Sequence, residues 1–118
     1  MEALGKTAWL IPDMYWPEIT TPGHYVSHEA ICVLNTGDTD ANLTVTFYFE
    51  DREPIMHKGL SCPARRTRHM RMDKLAAVPM GVPYAALVES SVPVVVQYSR
   101  IDTTQSAETL ATTIAYAL

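Results

Sequence analysis

Leu43-Thr44-Val45-Thr46-Phe47-Tyr48-Phe49-Glu50 alternates apolar and polar residues without a break. Leu43, Val45, Phe47 and Phe49 fall on one side of an extended chain, and Thr44, Thr46, Tyr48 and Glu50 on the other. A helix would scatter these apolar residues around its circumference, whereas a strand gathers them on one face. The stretch is therefore predicted as a half-buried strand with one core face. Turn-forming clusters bracket it, Asn35-Thr36-Gly37-Asp38-Thr39-Asp40 before and Asp51-Arg52-Glu53-Pro54 after. Such residues tolerate positive φ or hydrogen-bond their own backbone.

The same pattern extends outward. Strands are predicted at 6–11, 27–34, 55–61, 65–72, 84–89, 94–101 and 112–117. Ile31-Cys32-Val33-Leu34 and Val94-Val95-Val96 are apolar on both faces, which places their strands inside a sheet. The runs 84–89 and 94–101 read as a strand pair joined at Ser90-Ser91-Val92-Pro93. Pro12, Pro17, Pro22 and Gly23 mark 12–24 as loop, with Tyr15 and Trp16 folded over the core edge. There is no βαβ alternation and no long amphipathic helix. Seven or eight short strands with regular turn signals imply an all-β fold, an antiparallel β-sandwich of the immunoglobulin-like or jelly-roll type. One domain is expected over residues 1–118.

The 118 residues are 47% hydrophobic and 19% charged, enough for a core and too apolar for a disordered chain. The start Met1-Glu2-Ala3 has no basic leader, and no apolar run approaches the ~18 residues of a membrane span; a cytosolic location is expected. Cys32 and Cys62 are then expected as free thiols. Neither a catalytic motif nor a cofactor or metal motif is present, so no enzymatic activity is expected. His24 and His28 lie on one face of a strand but roughly 13 Å apart by strand rise, too far to share a metal unless the chain bends at Pro22-Gly23; no metal site is expected.

Candidate binding residues fall in two groups. Ser27, His28 and Glu29 sit at a strand entrance, and Glu29 precedes an apolar run; a carboxylate buried there needs a cationic partner. The second group lies in Pro63-Ala64-Arg65-Arg66-Thr67-Arg68-His69-Met70-Arg71-Met72-Asp73-Lys74, which holds five of the nine Lys and Arg residues of a chain whose net charge is −4. On a strand, Arg66, Arg68, Met70 and Met72 face one way, and Arg65, Thr67, His69 and Arg71 the other. Both faces begin basic, and Pro63 suits an edge or strand entry. The arginines are expected to meet Glu29, Glu50, Asp51 or Glu53 across the sheet or a subunit boundary. A nucleic-acid footprint is a weaker reading, because the calculated pI is about 5.4 and phosphate binding wants a positive field.

The ordered set Ser27-His28-Glu29, Val33-Leu34-Asn35, Gly37-Asp38, Asp40-Ala41, Glu53-Pro54 and Pro63-Ala64-Arg65-Arg66-Thr67 with His69 and Arg71 resembles the sensory rhodopsin transducer family. So do Ser91-Val92-Pro93, Val95-Val96-Gln97, Arg100, Asp102 and Thr113-Ile114-Ala115-Tyr116-Ala117. The resemblance implies a small cytosolic β-sandwich assembled as a homotetramer, with a fold like that of carbohydrate-binding modules. It implies a signalling adaptor, partner to a photosensory opsin, and it brings no catalytic residues. Its candidate positions are Ser27, His28 and Glu29, with Arg65, Arg66, His69 and Arg71; Arg68 joins them from the basic run. Two readings from other classes stand beside it: a module binding a sugar or an anion near His28, Glu29 and the arginines, and a DNA-binding regulator.

Overall fold

The computed structural model describes residues 2–18, 26–75, 77–105 and 107–118. Its strands are β1 (Lys6–Tyr15), β2 (His28–Asn35), β3 (Ala41–Phe49), β4 (Ile55–Cys62), β5 (Arg66–Arg71), β6 (Pro83–Asp102), β7 (Thr109–Ile114) and β8 (Tyr116–Ala117), with one helical turn, α1 (Met72–Leu75), after β5. The alternating stretch that opened the reading is β3. Its Leu43, Val45 and Phe47 are fully buried while Tyr48 is exposed.

The strands form an antiparallel β-sandwich in two layers. One has the order β4-β3-β6-β1-β8, and in the other β5 pairs with β2, β2 with β6, and β6 with β7. β6 belongs to both. Its first half pairs with β1 and β3, and its second half with β2 and β7. This corrects the expected strand pair at 84–89 and 94–101: the chain does not turn back at Ser90-Ser91-Val92-Pro93 but runs on for 20 residues. Even-numbered residues stay inward on both halves, first Tyr84, Ala86 and Val88, then Val94, Val96 and Tyr98. One strand thus lends its apolar face to both layers, a recognised way to make a sandwich corner.

The expected loop at 12–24 is also corrected in part. β1 continues through Pro12 to Tyr15 with a register shift between Ile11 and Met14. The shift is a bulge, which accommodates a proline that cannot donate to the ladder. It also changes which side chains point inward. Trp9 and Ile11 are buried, but the next buried residue is Met14, so Asp13 is left exposed. Residues 19–25, with His24, lie outside the described residues.

The core is a single cluster from Trp9, Ile11 and Met14 through Phe47 to Val94, Val96 and Ala115. Trp9 satisfies its indole N–H on the carbonyls of Lys6 and Val94, at 3.1 and 3.0 Å. The turn after β2 is organised by buried Asn35. Its Nδ2 donates to the Thr39 and Cys62 carbonyls, and its Oδ1 accepts the Gly37 N–H. Both cysteines are free, and burial pushes the Cys62 thiol up.

Candidate functional site: a buried carboxylate, an open cleft and a basic edge

Glu29 lies on the inward face of β2 with no solvent exposure. Strand register sets it opposite Arg100 of β6. Its Oε2 accepts the Tyr15 backbone N–H at 2.7 Å and lies 3.5 Å from Arg100 Nη2. Its Oε1 accepts the Tyr84 hydroxyl at 2.5 Å. The Tyr98 hydroxyl donates to Oε2 as well, and accepts from Arg100 Nε at 2.9 Å. The guanidinium sits 5.7 Å from the Tyr98 ring centroid. A bare carboxylate could not persist in this interior. Here three hydrogen bonds and one cation hold it, and they come from β1 and both halves of β6.

The electrostatics follow from that packing. Burial, then the Glu29 charge beside it, pushes the Tyr84 phenol far above the ordinary tyrosine range. Burial and the hydrogen bond to Glu29 do the same to Tyr98. For Arg100, burial opposes the charge, but Tyr98 and Glu29 outweigh it and the pKa rises. The predicted cationic partner of Glu29 therefore exists, but it is Arg100 and not a residue of the basic run.

The other two members of the first group part from Glu29. Ser27 is buried and joins the far end of β6, with its Oγ accepting the Thr103 N–H at 2.9 Å and lying 3.0 Å from the Thr103 hydroxyl. His28 is half-buried, and its Nδ1 lies 2.9 Å from the Val26 carbonyl oxygen.

The basic run divides too. β5 pairs only with β2 and so forms an edge. Arg65 precedes it in a turn with φ of 53° and lies 3.8 Å from exposed Asp38. Arg66, Arg68 and His69 are exposed. Arg66 Nη1 donates to the Arg65 carbonyl, and Arg68 Nη1 to the Ser61 carbonyl at 2.6 Å. Arg71 forms a two-point pair with Asp73, at 3.0 and 2.7 Å. Burial would raise the Asp73 pKa, but Arg71 wins and lowers it. Within the chain the expected pairing with Glu29 and Asp51 is not found among the described residues: Glu29 is committed to Arg100, and Asp51 to Arg52 at 2.9 Å. The reason is topological. Glu29 lies one residue before the first β2 residue that β5 pairs, and the turn holding Asp51 leads into β4, whose ladder is on β3.

Beside the Glu29 cluster, a cleft of about 510 Å³ opens between β1 and β7. Ile11 and Asp13 of β1, Tyr98 and Arg100 of β6, and Ala111 and Thr113 of β7 line it. None of Ser27, His28 and the β5 arginines lines it. Sequence reasoning missed Asp13, Tyr84, Tyr98 and Arg100. A signal for the last two was present: Val94, Val96, Tyr98 and Arg100 alternate, and an arginine on a core face demands a buried carboxylate.

Fold and site together define a small β-sandwich protein with a fully partnered polar centre and two solvent-facing features, a cleft and a basic edge. The sequence profile of the Anabaena sensory rhodopsin transducer matches residues 4–117. A crystal structure described as Thermotoga maritima 1070 superposes with a TM-score of 0.90 at 42% identity, covering 97% of this chain and 96% of that one. The structure of the Anabaena sensory rhodopsin transducer superposes with a TM-score of 0.73 at 37% identity, covering 88% and 95%. A comparison with curated proteins gives no match. The chain belongs to the sensory rhodopsin transducer family.

Proposed function

We propose that this chain is a non-enzymatic, cytoplasmic signalling adaptor that docks a protein partner, such as the cytoplasmic face of a sensory opsin, through its basic edge. Membership of a transducer family supports the class. The observation that carries the surface is the exposed pair Arg66 and Arg68 on edge strand β5. Both donate to main-chain carbonyls, and neither has a carboxylate partner among the described residues. Guanidinium groups so placed suit an acidic partner surface. A homotetramer fits this role, since four copies of the edge raise avidity for a multivalent partner. The net charge of −4 weighs against DNA as that partner.

Binding of the purified protein to an opsin in lipid nanodiscs tests the reading. Charge reversal by Arg66→Glu with Arg68→Glu is expected to weaken binding at least about tenfold, mostly through slower association. Unchanged affinity in that variant sinks the basic edge, and no binding by the unaltered protein sinks the opsin.

A further inference from the structure

The β1 bulge has one chemical result: it turns Asp13 out to the rim of the 510 Å³ cleft. Arg100 lines the same cleft, with its side chain 25% exposed. Its Nε and Nη2 are engaged by Tyr98 and Glu29; its Nη1 makes no hydrogen bond among the described residues, and the Asp13 charge acts on the group as well. Glu29 thus acts as a positioning residue, fixing the guanidinium while leaving one end of the fork free. Away from this polar end Ile11, Ala111 and Ala115 form an aliphatic stretch of wall, with Thr112, Thr113 and Tyr116 beside it.

We propose that this cleft binds a small zwitterion with an apolar body, of the α-amino-acid class. Its carboxylate meets Arg100, its ammonium meets Asp13, and its side chain lies along Ile11, Ala111 and Ala115. The volume suits such a ligand with room to spare, and the free guanidinium end matches a carboxylate. The charges select against the simpler classes. A plain anion meets the carboxylate of Asp13 and the field of Glu29, and a plain cation meets Arg100 directly. A monosaccharide satisfies the polar end but leaves the aliphatic wall uncovered. The inference is independent of partner docking, so failure of one leaves the other standing.

Calorimetric titration of the full chain decides it, with L-leucine and L-phenylalanine as probes. Isovalerate supplies the carboxylate alone, isopentylamine the ammonium alone, and glucose the polyol. Saturable binding of either amino acid is expected, with both half-ligands at least about tenfold weaker, the loss of one charge-assisted contact. Asp13→Asn removes the ammonium partner, and Ala111→Leu fills the apolar end. Both positions are exposed, so both variants are expected to fold, checked by circular dichroism, and each is expected to weaken binding about tenfold or more. No saturable amino-acid binding overturns the proposal. So does equal binding of a half-ligand, binding of glucose alone, or amino-acid binding that neither variant weakens.

Discussion

At the scale of single residues, the charge on Glu29 is the most consequential feature of the interior. Two tyrosine hydroxyls are buried against it, and each donates to that carboxylate. Glu29→Gln keeps the shape and removes the charge, leaving Arg100 without its counter-ion. It is expected to cost about 3 kcal/mol, within the range for breaking one side of a buried pair. Tyr84→Phe is expected to cost about 1–2 kcal/mol. The two losses should fall short of additive in the double variant, because they share one hydrogen bond; urea unfolding of the four proteins measures this, and strict additivity would show the contact to be idle. The same centre sets an alkaline limit. Both phenols have folded-state pKa values raised above the ordinary one. Their contribution to stability is whole below the unfolded value of about 10 and is lost as pH climbs from there through the raised folded values. Stability should therefore fall above about pH 10, and fall less steeply in the variant with both tyrosines changed to Phe. An identical alkaline slope in that variant would rule the tyrosines out as its source.

At the scale of elements, what the sequence disclosed follows from periodicity, and what it hid follows from long-range partners. β3 was legible because its alternation is unbroken and one face is buried. β2 was legible as an inner strand because Ile31 and Val33 are apolar on a run that has neighbours on both sides. β6 was misread because Ser90, Ser91 and Pro93 are turn formers. In the fold they occupy the crossing between layers, where Ser91 Oγ accepts the Asn42 N–H at 2.9 Å and Pro93 falls between the paired Ser90 and Val94. The Glu29 site was half legible: burial and a cation were implied, but register decides which cation, and register is not written locally. Two glycines mark where the strands depart from regularity. Gly59, with φ of 82°, sits at the β3–β4 register shift, with open space where a Cβ would go. Gly59→Ala should cost only the backbone strain, about 1–2 kcal/mol. Gly5, with φ of 109°, would place a Cβ 2.0 Å from the Val94 carbonyl oxygen. Gly5→Ala should therefore cost more, on the order of 3 kcal/mol, and parallel denaturation curves that rank the two the other way would contradict the assignment of Gly5 as a close-approach position.

At the scale of the whole molecule, β7 is left uncovered. All six residues of β7 are exposed, yet it carries Leu110 at 70% and Ile114 at 61% exposure. Register places Leu110 beside Ile101 and Ile114 beside Gln97, and Gln97 is in turn beside Cys32, two residues from exposed Leu34. Alternation separates Leu110 and Ile114 from Ala111 and Thr113, and Ile114, at the end of the strand, also borders the cleft. An exposed face that carries large apolar side chains suits a second copy of the chain. Covering Leu110 and Ile114 contributes about 1–2 kcal/mol per side chain at their exposure, and a lysine in each place reverses the sign. The expected result is that light scattering finds the unaltered protein as a tetramer, and the variant with Leu110→Lys and Ile114→Lys as a smaller species with unchanged circular dichroism. Because the altered side chains avoid the β5 arginines, the partner docking proposed above should lose its avidity while each copy keeps its edge. A mass of one chain, 13.1 kDa, for the unaltered protein would remove the assembly altogether. A tetramer that survives both lysines would move its interface away from β7.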